Sequence, residues 1–217
     1  VSAGPEAAVP DPATGTRLLE VERFAAVMAR LRRECPWDAG QTHLSLVRYL
    51  VEETCEVVEA IEDGDDTDLR EELGDLLLQV VFHAIIAAER GAFTLDDVAA
   101  GVADKLVARH PYVFADGDVP DDLDVGWEQR KRAEKGRTSA LDGIPARLSA
   151  LTRAQKVVGR TRSHGVDVGM PAEVVTEDEL GDELLALAAR AQAAGLDAEQ
   201  VLRSRVRLLE AEVRATE

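Results

Sequence analysis

The most constraining feature of this sequence is residues 68–90, DLREELGDLLLQVVFHAIIAAER, which are too apolar for an ordinary surface helix yet keep one polar line. At helical spacing, Glu72, Asp75, Gln79, His83 and Arg90 fall on a single narrow stripe. Leu73, Leu77, Leu78, Val80, Val81, Phe82, Ala84 and Ile85 occupy most of the remaining circumference. A helix of that kind is packed on most sides, so its polar stripe is predicted to face something specific rather than open water.

A neighbouring stretch supplies the counterpart. Over residues 47–62, Glu52, Glu53, Glu56 and Glu59 fall within one wedge of about 120°, each residue turning the helix by roughly 100°. Val47, Leu50, Val57, Val58 and Ile61 lie opposite. Asp63-Gly64-Asp65-Asp66 reads as a turn short enough to make the two helices antiparallel neighbours, so that their carboxylates converge. Such crowding is repulsive. A hard divalent cation relieves it, and Mg²⁺ in particular prefers oxygen ligands while keeping waters and phosphate oxygens in its shell. The competing reading is a pair of solvated acidic faces. An EF-hand is excluded, because no twelve-residue loop has the required Gly and terminal Glu.

The rest of the chain reads as helix and connector. Residues 1–16 are rich in Pro, Ala, Gly and Thr and aperiodic, which predicts a disordered lead-in. Leu18, Val21, Phe24, Ala25, Met28 and Leu31 predict a first helix, stopped by a loop at Cys35-Pro36-Trp37-Asp38-Ala39-Gly40. Thr42 or Ser45 is the expected cap of the helix carrying Glu52. Asp68 with Glu71, and Thr94 with Asp97, look like helix starts; the second opens a helix ending near Arg109, before Pro111. Residues 113–124 read as an acidic loop, 127–135 as a charged helix, and 146–217 as two or three further helices. No segment alternates with period two, so the expected fold class is all-α, without a sheet.

Glu72-Leu73-Gly74-Asp75 recurs as Glu179-Leu180-Gly181-Asp182 at the head of a second Leu- and Ala-rich stretch. A chance match is the alternative to a duplicated unit. No EExxE helix precedes the second occurrence, since Gly169 and Pro171 interrupt residues 165–177. Residues 139–217 are therefore predicted to be a degenerate second helical repeat, catalytically silent and serving packing or dimerisation.

The formal net charge of −17 excludes a protein that wraps a nucleic-acid backbone, which needs Lys and Arg at the phosphates. It also means that an anionic substrate requires a metal ion or a local basic cluster. Cys35 and Cys55, the two cysteines, form no CxxC or zinc-type group and read as reduced thiols of a cytoplasmic protein. The longest apolar run is too short for a bilayer, so no membrane partner is expected.

Glu52-Glu53-xx-Glu56 followed by Glu72-xx-Asp75 resembles the metal motif of MazG-type nucleoside triphosphate pyrophosphohydrolases, of the all-α NTP pyrophosphatase superfamily. The flanks are similar too: Cys35-Pro36-Trp37-Asp38 with Gln41-Thr42-His43, residues 70–77, and Asp104-Lys105-Leu106 leading to Arg109-His110-Pro111-Tyr112-Val113-Phe114. Trp127-Glu128 with Lys131 also fits, and the likeness is dense from Val21 to Lys135. The resemblance implies a MazG-type antiparallel helical bundle over residues 17–138, completed by homodimerisation. It implies a Mg²⁺-dependent cut between the α- and β-phosphates of (d)NTPs, with Mn²⁺ as a substitute ion, in housecleaning of nucleotide pools.

Carried onto this chain, the resemblance makes Glu53, Glu56, Glu72 and Asp75 the metal ligands. Glu52 would hold a second metal, or orient and deprotonate the attacking water. Lys105 and Arg109, one turn apart, would hold triphosphate oxygens. Lys131, His110, Trp127 and Trp37 are further substrate-binding candidates. For these the bland readings are a solvated basic helix around Lys131, a helix C-cap at His110 and a core anchor at Trp37. Narrower alternatives are a dUTP- or dCTP-preferring enzyme and a phosphoribosyl-ATP hydrolase. An acidic helical binding module without turnover is the alternative from another class.

Overall fold

A computed structural model describes residues 19–119, 123, 126, 127, 130, 134, 136 and 138–217. The expected lead-in at residues 1–16 and the candidate Lys131 lie outside the described residues. Among the described residues every regular element is helical, as the lack of period-two alternation predicts. The chain forms two compact units, Val1–Val119 and Pro120–Glu217.

In the first unit, α1 (Leu19–Glu34) carries Glu20 and Glu22 in its first turn and Arg32 and Arg33 in its last, signs that suit the helix dipole. Residues 36–40, read from sequence as loop, form a one-turn helix, α2 (Pro36–Gly40). Pro36 stops α1 but suits a first helical position, where its missing N–H has no partner to lose. The helix with the EExxE motif is α3 (Val47–Asp63). Neither Thr42 nor Ser45 caps it, because each bonds the other's backbone N–H in the preceding turn and Leu46 is left as N-cap.

Gly64 ends α3 at φ 70°, a left-handed conformation that costs a glycine little, and its N–H returns to the Ala60 carbonyl. Asp65 then caps α4 (Asp66–Glu89) by accepting from the N–H groups of Thr67 at 2.8 Å and Asp68 at 3.2 Å. The cap therefore sits earlier than the Asp68–Glu71 pattern suggested, because Asp65 comes first with the right geometry. With so short a turn, α3 and α4 pack along their length as the expected antiparallel hairpin.

Thr94 and Asp97 form the expected capping box of α5 (Leu95–Arg109). His110 joins α5 to a further single turn, α6 (Pro111–Phe114), where a loop was expected from Val113. The core of this unit is Met28, Leu46, Val81, Phe82 and Ile86, flanked by Phe24, Ala25, Tyr49, Leu78, Ile85 and Leu95. Arg32 fastens the ends of α1 and α4 through Glu89, with Nε to Oε1 at 2.8 Å and Nη2 to Oε2 at 3.1 Å. Its Nη1 also donates to the carbonyls of Asp38 and Gln41, which fixes the α2 turn.

The second unit contains α7 (Ala150–Ser163), α8 (Glu177–Ala193) and α9 (Ala198–Thr216). Leu141, Val157, Val206, Leu209 and Val213 form its own core between α7 and α9. Arg153 of α7 and Glu210 of α9 make a bidentate ion pair beside it. No helix among the described residues is long and apolar enough to cross a membrane.

Candidate metal centre

Helix rotation decides which acidic groups meet. In α3, Val57 and Ala60 are buried against α4, with Glu53 and Glu56 half-buried toward the start of the same face. Glu72 and Asp75 are half-buried on α4, on the stripe that continues to buried Gln79. One carboxylate oxygen each from Glu53, Glu56 and Glu72 lies within 4.8 Å of the other two. Asp75 stands outside that trio but near enough to act on it electrically, since its charge raises the pKa of both Glu53 and Glu72.

Desolvation is the first cause that raises Glu53 above the usual carboxylate value, followed by the charges of Asp75, Glu56 and Glu72. Glu72 is raised by desolvation, then by Glu56 and Asp75. The group thus pays electrostatically for its own convergence. All of its donors are hard oxygens, and the spacing suits opposite and adjacent positions on an ion bound at about 2.0–2.6 Å. The residues present fit a divalent cation.

Glu52, expected beside them, is exposed and lies outside the converging trio. The line from α3 to α4 passes through Glu53, Val57 and Ala60, and Glu52 sits roughly 100° away from Glu53 around the helix. Lys105 is half-buried and Arg109 is 4% exposed, one turn further along α5. His110 caps α5: its N–H reaches the carbonyls of Leu106 and Val107, and its Nδ1 lies 2.7 Å from the Leu106 oxygen. Trp37 is 52% exposed on α2, edge-on to the Tyr49 ring at 5.9 Å, so much of its face is open. Trp127 is half-buried in helical backbone within residues 120–217.

His83 and Gln79 lie on the polar stripe read from sequence, His83 being expected there as a satisfied polar group of the bundle, but the sequence named partners for neither. His43 stacks on His83 with ring centroids 5.1 Å apart and Nδ1 atoms 2.8 Å apart, so one nitrogen donates and the other accepts. Burial, then His43, holds His83 below the usual histidine value. Gln79, one turn before His83, is 4% exposed and close enough to Glu53 to hold down part of the rise in its pKa. The stripe on residues 68–90 contained both signals, but their partners sit on α3 and before it.

Glu179 and Asp182 show why the second occurrence of the motif differs. Glu179 accepts from the Thr176 N–H at 3.0 Å and from its hydroxyl at 2.9 Å, completing a capping box that holds its pKa down. The four residues begin at the third residue of α8, not at the seventh as in α4. Glu179 serves its helix end.

Fold and site together define a helical protein whose hairpin brings together carboxylates that fit a divalent cation. Residues 41–114 match the MazG nucleotide pyrophosphohydrolase domain. The chain is 38% identical over 208 residues to the nucleoside triphosphate pyrophosphohydrolase/pyrophosphatase MazG of Thermotoga maritima, covering 86% of this chain and 81% of that protein. It is also similar to the nucleoside triphosphate pyrophosphohydrolase of Escherichia coli K12, at 47% identity over 68% of this chain, though it spans only 59% of that protein's length. An uncharacterised 26.1 kDa protein of Streptomyces cacaoi is 46% identical over 94% of this chain and 84% of its own length. The chain belongs to the MazG family of nucleoside triphosphate pyrophosphohydrolases.

Proposed function

We propose that this chain cleaves the α–β phosphoanhydride of (d)NTPs with Mg²⁺, giving (d)NMP and pyrophosphate, and that it clears canonical or damaged nucleotides in the cytoplasm. The observation that carries this reading is the approach of Glu53, Glu56 and Glu72 to within 4.8 Å across two antiparallel helices, with Asp75 adjoining. When bound there, Mg²⁺ (or Mn²⁺) neutralises phosphate oxygens and lowers the pKa of a bound water.

Glu53, Glu56, Glu72 and Asp75 would hold the cation, and exposed Glu52 would orient the attacking water and take its proton. Lys105 and Arg109 would bind triphosphate oxygens, offsetting an overall charge that repels the substrate. His110, Trp37, Trp127 and Lys131 complete the proposed substrate contacts. Residues 139–217 take no part in the reaction in this reading, which the use of Glu179 as a capping residue supports.

The unit is also proposed to work as a homodimer. Val51, Val58 and Ile61 on α3 and Leu73, Leu77 and Val80 on α4 are between 39% and 58% exposed. So broad an apolar surface on one hairpin is what a partner helix pair covers. Incubating the protein with each NTP and dNTP, with and without Mg²⁺, should yield monophosphate and pyrophosphate only with the ion. Diphosphate and orthophosphate would reject the α–β cut, and ion binding without any turnover would favour a binding module. Sedimentation of the same sample should give twice the 23.5 kDa chain mass.

A further inference from the structure

The polar stripe of α4 does not end with the acidic residues. Gln79 lies one turn past Asp75 and is therefore on nearly the same side of the helix. It is 4% exposed, although glutamine is usually a surface residue. Its side-chain amide lies close enough to the Glu53 carboxylate, across the hairpin, to oppose part of the rise in that group's pKa. An ionised carboxylate only accepts, so the amide edge that meets it is the NH₂. The other edge, Oε1, is buried and has no partner among the described residues.

A buried carbonyl left without a donor is rare in a well-packed helix pair. Were the position a matter of filling space, an apolar residue would fill it without that cost, as at its buried neighbours Val81, Phe82 and Ala84. A carboxylate there would add a further like charge and remove the donor. Glutamine supplies a donor toward Glu53 and a second polar atom with no net charge.

We propose that Gln79 is a positioning residue of the cation site: its NH₂ fixes the Glu53 carboxylate in the ligating orientation, and its Oε1 is reserved for a hydrogen donor brought in by the cation's hydration water. The inference rests on the reading of Glu53, Glu56, Glu72 and Asp75 as that site. Hydrated Mg²⁺ retains several waters, each a donor, which is the chemistry Oε1 lacks. Groups that orient a ligating side chain typically change metal affinity by about 10–100-fold when removed.

The test uses the full chain without nucleotide. Gln79→Met keeps length and approximate volume while removing both polar atoms. Its melting temperature without metal should equal or exceed that of the unmodified protein, while calorimetric titration with Mn²⁺ should show about 10–100-fold weaker binding. Equal Mn²⁺ affinity in a folded Gln79→Met protein overturns the role of Gln79 and leaves the cation site standing. Failure of the unmodified protein to bind Mn²⁺ removes the site itself, a different result. Should Gln79→Met not fold, Gln79→Glu gives a second reading. With Glu53 in contact, Gln79→Glu must melt lower than the unmodified protein at neutral pH without metal, and an unchanged melting temperature overturns the proposal.

Discussion

Glu53→Gln is expected to abolish turnover and, in the absence of divalent cation, to raise the melting temperature at neutral pH. The two effects have one origin. Glu53 is desolvated and faces Asp75, Glu56 and Glu72, so its folded-state pKa is raised above the unfolded value. A raised carboxylate binds more protons in the folded chain than in the unfolded one. Its contribution is then fully present below the unfolded pKa and is lost as pH rises through the folded pKa. At neutral pH the metal-free cluster is in its unfavourable state, and a neutral amide removes one of the opposing charges.

Because these groups are only partly buried, solvent screens the repulsion. A rise of about 2–4 °C is expected, the shift that roughly 1 kcal/mol gives in a chain of this size. Saturating Mg²⁺ should reverse the order, since only the unmodified protein gains the full stabilisation of a bound ion. The fall in kcat/KM should be about 10²–10³-fold or more, comparable to the loss of an electrostatic catalytic group. Asp75→Asn should abolish turnover as well. Mg²⁺-dependent pyrophosphate release that survives in both variants would reject the assignment of the centre.

The second large effect is structural. Arg153→Leu should destabilise the unit spanning Pro120–Glu217 while leaving hydrolysis unchanged at temperatures where that unit stays folded. Arg153 meets Glu210 through Nε to Oε1 at 2.7 Å and Nη2 to Oε2 at 3.0 Å, with the two side chains 15% and 14% exposed. Its Nη1 also donates to the Pro145 carbonyl at 2.9 Å. Deleting the guanidinium strands the Glu210 charge beside the Val206–Leu209–Val213 core and frees that carbonyl.

Breaking a buried pair from one side costs about 3–5 kcal/mol, and the residual exposure here reduces the expected loss to roughly 2–4 kcal/mol. Replacing both partners with leucine should recover most of it, because the charge left behind, rather than the lost attraction, dominates the single variant. Urea unfolding followed by circular dichroism reads both. An Arg153→Leu protein as stable as its parent would mean that water already solvates the pair. Loss of turnover in the folded variant would instead give the C-terminal unit a catalytic part.

Much of the hairpin was legible before any coordinates. The stripe from Glu72 to His83 announced the line along which this helix meets its acidic partner, and the wedge from Glu52 to Glu59 announced that partner, but Leu73, Leu77 and Val80 stay exposed rather than packed. The Thr94–Asp97 box was readable as well, because capping depends on residues three apart. Legibility failed where two local signals competed. Pro36 is both a helix stop and a good first residue, and it plays both parts. Asp68 with Glu71 looked like the helix start, but Asp65, placed just after Gly64, is the cap. Glu179-Leu180-Gly181-Asp182 copied the letters of the motif without its place in the helix.

What the sequence by itself determined is therefore periodic and local: the helices, the short acidic turn and the pairing of two carboxylate-bearing segments, all set by spacing along one chain. Only the tertiary structure decided the rotation of α3 about its axis, which turns Glu53 and Glu56 inward and leaves Glu52 at the surface. It likewise decided that Gln79 reaches Glu53, that His43 lies on His83, and that Arg153 finds Glu210. Those pairs join residues far apart in sequence. Their contacts depend on how whole helix faces pack, which no short-range pattern encodes.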